Sequence, residues 1–140
     1  MKPKVYGIGY SGRKLHEIRQ LVQDLDAVVF DIRFSPRSRA PQWNGNRLSD
    51  ELGSDRYLHV KEFGNKNYRG GPIELVDYEG GKSIIEASTR PIILMCVCKD
   101  PAICHRTLIM GRLEMEGFEV EELNRTKPRP SQLKLGVGIL

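Results

Sequence analysis

Two short, almost unbroken apolar runs constrain this chain most: Ala27-Val28-Val29-Phe30-Asp31-Ile32 and Pro91-Ile92-Ile93-Leu94-Met95-Cys96-Val97. A strand with one wet face alternates apolar and polar residues, whereas a continuous run of this length suits a strand covered on both faces in a parallel sheet. The first run ends in a charge, with Arg33 to Arg39 as its exit loop, and the second, the most apolar stretch, reads as the central strand.

The other elements fall around these two. VYGIGY at residues 5–10 is strand-like, Ser11 is a candidate N-cap, and Leu15, Ile18, Leu21 and Leu25 follow at helical spacing, so strand, tight turn and helix are expected. A short helix is expected over Leu48 to Leu52 and a strand over Tyr57 to Val60. Between Gly64 and Gly81 the composition turns to Gly, Asn and Lys; Gly70-Gly71 and Gly80-Gly81 read as turns, Ile73 to Val76 as at most one helical turn, and the whole as a mobile loop. Asp100-Pro101 supply an N-cap and first position for a helix to about Glu116, stopped by Gly117. Cys104, Leu108, Gly111 and Met115 form the stripe expected to lie on the sheet, and Phe118 to Leu123 a final strand.

Strands alternating with helices predict a single α/β domain over residues 1–123. Its core is a mostly parallel, doubly wound, Rossmann-like sheet of about five strands with flanking helices. A basic, proline-broken and loosely ordered tail is expected at 124–140. A length of 140 residues suits one domain that closes its core without metals or disulfides. No apolar run approaches a membrane span, the N-terminus lacks a signal-peptide pattern, and three cysteines cannot all pair, so a reduced, cytoplasmic protein away from the membrane is expected. The composition does not indicate an oligomeric state.

The formal charge of +4 and pI near 9.0 are compatible with an anionic partner. Arginines and lysines crowd the first half, whereas Glu114, Glu116, Glu119, Glu121 and Glu122 crowd the end, which places an anion site in the first half. In doubly wound sheets ligands bind beyond the carboxyl ends of the strands. Ser11 to Arg13, Arg33 to Arg39 and Cys98 to Arg106 each follow an expected strand and should meet there.

Backbone N–H groups around Ser11 and Gly12 at a helix start, with Arg13 beside them, suit a phosphate, although a glycine turn with a capping serine explains the same residues. Asp31 and Arg33 share a side of their strand, so the carboxylate is placed either to orient a guanidinium for an anion or to make a structural ion pair with it. Arg37 and Arg106 complete the candidate anion-binding set. Trp43, beside basic residues, suits stacking on a base or anchoring of its loop. His59, with Glu62, is a candidate acid–base pair at a strand exit.

The segment Cys96 to Arg106 admits three chemistries. Cys98 or Cys104 near a helix N-terminus, flanked by His105 and Arg106, would have its thiolate favoured as catalytic cysteines require, though the Cys-x5-Arg phosphatase loop is not matched. A metal site could draw on the cysteines and His105, but the Cys-x2-Cys knuckle is missing, so neither metal nor cofactor is expected. In the third reading His105 and Arg106 contact an anion while the cysteines pack, which suits Cys96 and Cys104 better than Cys98.

Gly9 to Arg13, Asp31-x-Arg33 followed by Ser35-Pro36-Arg37-Ser38-Arg39, Tyr57-x-His59 and Cys104-His105-Arg106 stand in an order that resembles the family catalogued as domain of unknown function 488. The resemblance runs over nearly all of residues 5–123. It implies a compact α/β fold in prokaryotic cytoplasm with polar residues gathered at one edge, and no established activity. Members commonly read Cys-Ala-Glu where this chain reads Cys96-Val97-Cys98, so a thiol stands where relatives carry a carboxylate.

The leading expectation is an enzyme acting on a phosphate-bearing ligand such as a nucleotide or nucleic acid. Arg13, Arg33, Arg37 and Arg106 would bind the anion and His105 would transfer a proton. The alternatives are a non-catalytic nucleic-acid-binding module using the arginine loop and basic tail, and a thiol or metal site centred on Cys98.

Overall fold

The computed structural model describes residues 2–98 and 104–124. In chain order these form β1 (Val5–Gly9), α1 (Leu15–Leu25), β2 (Val28–Asp31), α2 (Gly45–Leu52), β3 (Tyr57–His59), α3 (Tyr78–Glu86), β4 (Ile92–Cys96), α4 (His105–Met115) and β5 (Val120–Glu122), with short 3-10 turns at Pro41–Trp43 and Lys61–Phe63. The strands make one sheet in the order β3-β2-β4-β1-β5, parallel at every pairing, with Val5 opposite Ile92 and Val28 on the other side of Ile92. This is the single α/β domain with a Rossmann-like parallel sheet that the two apolar runs predict.

Covering both faces explains those runs. Val29, Ile93, Met95 and Ile8 pack under α1 and α2 with Ile18, Val22, Leu48 and Leu52. Phe30, Ile92, Leu94 and Val5 pack under α3 and α4 with Ile85, Ile109, Met110 and Leu113. All of β4 is buried. The helices after β1 and β2 therefore leave to one face and those after β3 and β4 to the other, which opens a crevice between the carboxyl ends of β2 and β4. No described helix is long and apolar enough to cross a membrane.

Five expectations are corrected. Helix α1 begins at Leu15 with Lys14, not Ser11, at its N-cap, because the Lys14 N–H donates to Glu17 Oε2 at 2.7 Å. Helix α4 begins at His105 after an extended Cys104; Asp100 and Pro101 lie outside the described residues. Its buried side carries Arg106, Ile109, Met110 and Leu113, while Leu108 and Met115 are exposed. Only Cys104 of the expected stripe is buried, since the position facing the sheet is filled by an ion-paired arginine that apolar periodicity does not register.

The fourth concerns Gly64 to Gly81. Gly80 and Gly81 lie inside α3, whose N-cap Asp77 accepts from the Gly80 N–H at 3.0 Å. Residues 73–76 are not helical; Asn65 and Leu75 pair in an antiparallel bridge, and Lys66 donates its N–H to the Glu74 carbonyl. The segment is a cross-linked strap. At the other end Asn124, assigned above to the tail, is buried and bonded to the Gly9 carbonyl, so the domain includes it; residues 125–140 lie outside the described residues.

Gly81 is glycine because α3 rests on the buried Phe63 ring: a methyl there would stand 2.6 Å from a ring carbon. Gly81→Ala gains helix propensity but overpacks that contact, and should lower stability by about 0.5–2 kcal/mol in denaturant unfolding. An equal or higher stability would refute the close packing of α3 on Phe63.

Candidate functional site

Three hydrogen-bonded groups at the carboxyl edge of the sheet decide what it offers. In the first, Asp31 at the end of β2 is fully buried and takes two bonds from the Arg33 guanidinium, from Nε to Oδ1 at 2.8 Å and from Nη2 to Oδ2 at 2.5 Å. Tyr57 donates its hydroxyl to Oδ2 at 2.6 Å, and Arg33 Nη1 donates to the Tyr10 hydroxyl at 3.1 Å. Burial works against the Arg33 charge, but the adjoining Asp31 carboxylate outweighs it and holds the guanidinium protonated. Burial and the same carboxylate push the Tyr57 phenol well above its ordinary value.

In the second, Arg106, fully buried in the first turn of α4, meets Glu122 at the end of β5 through two bonds of 2.9 Å. Its Nη1 donates to the Cys98 carbonyl at 2.6 Å and to Cys96 Sγ at 3.0 Å. Glu122 also accepts the Asn124 N–H, and the Asn124 amide accepts from Arg13 Nη2 at 2.9 Å.

The third is the thiol cluster. Cys96 at the end of β4 and Cys104 before α4 bring their sulfurs within 2.7 Å, and Cys98 is electrostatically coupled to both. The cysteines are free, Cys96 and Cys104 buried and Cys98 half-buried. The proton shared between Cys96 and Cys104 stays with Cys96, whose thiol is pushed strongly up by that bond. Cys104 is pulled down to about 3 by the Cys96 thiol above all, against the effect of burial and with help from His105 and the Arg106 backbone. Cys98 is also lowered, first by the Cys96 hydrogen bond and against partial burial. His105 donates from Nε2 to the Ile32 carbonyl at 2.9 Å and turns Nδ1 toward Cys104 Sγ at 3.9 Å. Burial opposes its charged form, but the thiolate and the Ile32 carbonyl raise its pKa on balance.

A pocket of about 450 Å³ opens in the crevice between β2 and β4. Cys96, Cys98 and His105 stand on one side, Arg33 and Arg37 on another, and Tyr68 and Ile73 of the strap on a third. Phe34 belongs to the wall, stacked on Tyr68 with ring centres 5.5 Å apart. Thiols, an imidazole and an exposed guanidinium thus face one partly apolar space.

Set against the residues named from sequence, His105, Cys98, Arg33 and Arg37 come together at this pocket. Arg13 and Arg106 do not line it; their guanidiniums are engaged by Asn124 and Glu122. The Ser11 and Arg13 N–H groups donate to the Val97 and Tyr10 carbonyls, and the helix start carries Glu17, so the phosphate cradle expected around Ser11 and Gly12 is replaced by a turn, with Gly12 at φ 82°. Trp43 is buried, stacked on Tyr10 at 4.3 Å, and anchors its loop. His59 bonds the Arg33 carbonyl at 2.8 Å and steadies the exit of β2, while Glu62 lies against Gly80 at the start of α3.

Glu122, Asn124, Tyr10 and the pocket walls Phe34, Tyr68 and Ile73 were missed. A carboxylate closing a strand that ends beside the Cys-His-Arg corner was the available signal for Glu122; the strap residues carry none. Among the described residues no group of three or more His, Cys, Asp or Glu side chains is placed to hold a metal ion; the cation beside these sulfurs is Arg106. No family model, curated protein or solved structure matches this chain.

Removing one member of a buried ion pair strands the other. Asp31→Ala should therefore cost about 3–5 kcal/mol in denaturant unfolding. In Asp31→Asn, where the negative charge beside it is gone, the Tyr57 phenol should ionise at lower pH than in the parent, read from phenolate absorbance. An unmoved Tyr57 titration would contradict the arrangement.

Proposed function

We propose that this chain is an enzyme whose reacting group is the Cys98 thiolate and whose ligand is a small molecule carrying an anionic group. The observation that carries the reading is that Cys98, alone of the thiols half-buried, lines the pocket beside His105 and beside Cys96, which touches Cys104. A thiolate is the nucleophilic form, and a lowered pKa is what such catalysis requires near neutral pH. Attack forms a bond from Cys98 Sγ to an electrophilic centre of the ligand. The bond to the leaving group breaks, and that group departs with the electron pair and takes the proton of the His105 imidazolium. Arg37, exposed at the rim, pairs with the anionic part of the ligand, which retains the phosphate-bearing class expected from sequence.

A nucleic-acid-binding module is less well supported. It needs guanidiniums free to meet backbone phosphates, and Arg33 and Arg106 are buried against carboxylates. Free thiols suit a reducing compartment, and a cytoplasmic location is part of this proposal.

Alkylation by iodoacetamide tests the reading, with the modified residue identified by peptide mapping. Cys98 should be the thiol modified fastest, with a rate that titrates below the ordinary thiol range and moves up in His105→Gln. Inorganic phosphate should slow the reaction in the parent and not in Arg37→Ala. A Cys98 that reacts with an ordinary thiol profile, or not at all, would remove the basis of the proposal.

A further inference from the structure

The single-thiol reaction leaves two buried sulfurs without a task. Cys96 and Cys104 touch at 2.7 Å, Cys104 is the thiol most readily ionised, and Cys98 lines the pocket together with Cys96, two residues away at the same strand exit. A half-buried thiol at a pocket with a buried thiolate behind it is the arrangement that thiol–disulfide exchange needs. The outer sulfur meets the substrate, and the inner one, shielded from solvent, completes the exchange.

We infer that the chain reduces small disulfides bearing a carboxylate or phosphate, with Cys98 as the attacking sulfur and Cys104 as the resolving one. The inference rests on the reading of Cys98 as the reacting thiol, and it names the substrate class of that site. In the first step the Cys98 thiolate attacks one sulfur of R–S–S–R′. The substrate S–S bond breaks, a Cys98–S–S–R bond forms, and R′–S⁻ leaves and takes a proton from His105. In the second step the Cys104 thiolate attacks Cys98 Sγ; the bond to R breaks, a Cys98–Cys104 disulfide forms, and R–S⁻ leaves and is protonated by water. Two electrons pass from the two thiols to the substrate, and a thiol reductant returns the enzyme.

Arrangement around the pair fits each step. Arg106 sits beside Cys96 and the Cys98 carbonyl, so negative charge that collects on the cluster stays compensated. Cys96 keeps its proton and holds Cys104 as the thiolate until it attacks. The pocket gives the leaving half of a small disulfide an apolar wall at Phe34, Val97 and Ile73, with Arg37 at the rim for its acidic group.

The test uses the reduced full-length chain, oxidised glutathione as the probe, and thiol counting with peptide mapping. The parent should lose two of its three thiols, with Cys104 in an intramolecular disulfide and no glutathione retained. Cys104→Ser should instead trap glutathione on Cys98, and Cys98→Ser should take up none. Glutathione that stays on Cys98 of the parent, with Cys104 a free thiol, would overturn the inference while leaving Cys98 as the reacting thiol. A parent that keeps all its thiols would sink both readings. Because the decisive arm uses the parent, it stands even if the Cys104→Ser chain fails to fold.

Discussion

The carboxyl edge of the sheet depends on one buried guanidinium. Arg106 reaches three elements from α4: Glu122 closing β5, the carbonyl of Cys98 beyond β4, and the sulfur of Cys96 at the end of β4. A buried charge is tolerable only when it is paired and its N–H groups are satisfied, and this one is held by a bidentate carboxylate. The geometry that meets this demand also fixes the thiols, because the donors left after Glu122 point at Cys96 and at the backbone of Cys98. The Asp31–Arg33 pair does the same for β2, so the edge carries two internally compensated ion pairs, one at the end of β2 and one between α4 and β5.

The consequence is that most of the arginine content at this edge organises the fold and its thiols, and in the proposed function ligand recognition falls to the exposed Arg37. A cluster of arginines near a Cys-His-Arg corner reads from sequence as an anion site. With its guanidiniums already bonded to Glu122, Asp31 and Asn124, the corner is better described as an electrostatic frame for sulfur. A carboxylate at the position of Cys98 would add a fixed negative charge near the Cys96–Cys104 pair, whereas a thiol there can stay neutral.

How far the sequence could be read follows from which physical signal each element carries. Strands β2 and β4 were legible because coverage by helices on both faces demands unbroken apolar runs, and that demand also placed the crevice and, with it, Cys98 and His105. Helix α3 was not legible, since Gly80-Gly81 carries turn chemistry and only the close approach of Phe63 explains a glycine inside a helix. The buried side of α4 was misread because Arg106 occupies it, and its partner Glu122 lies 16 residues away among glutamates that look like a solvated face. Trp43 was open from sequence between stacking on a ligand and anchoring a loop; Tyr10, brought over by β1, decides it for anchoring. Pairings of this kind become visible only when the topology puts β1, β4 and β5 side by side.

The central claim is that the cysteine cluster carries a thiolate under ordinary conditions, and ultraviolet thiolate absorbance of the reduced chain followed against pH measures it directly. The account predicts a thiolate band already present at neutral pH and persisting into the acid range, whose acid-range part is lost in Cys104→Ser. Absorbance that rises only around the ordinary thiol pKa of about 8.5 would contradict it.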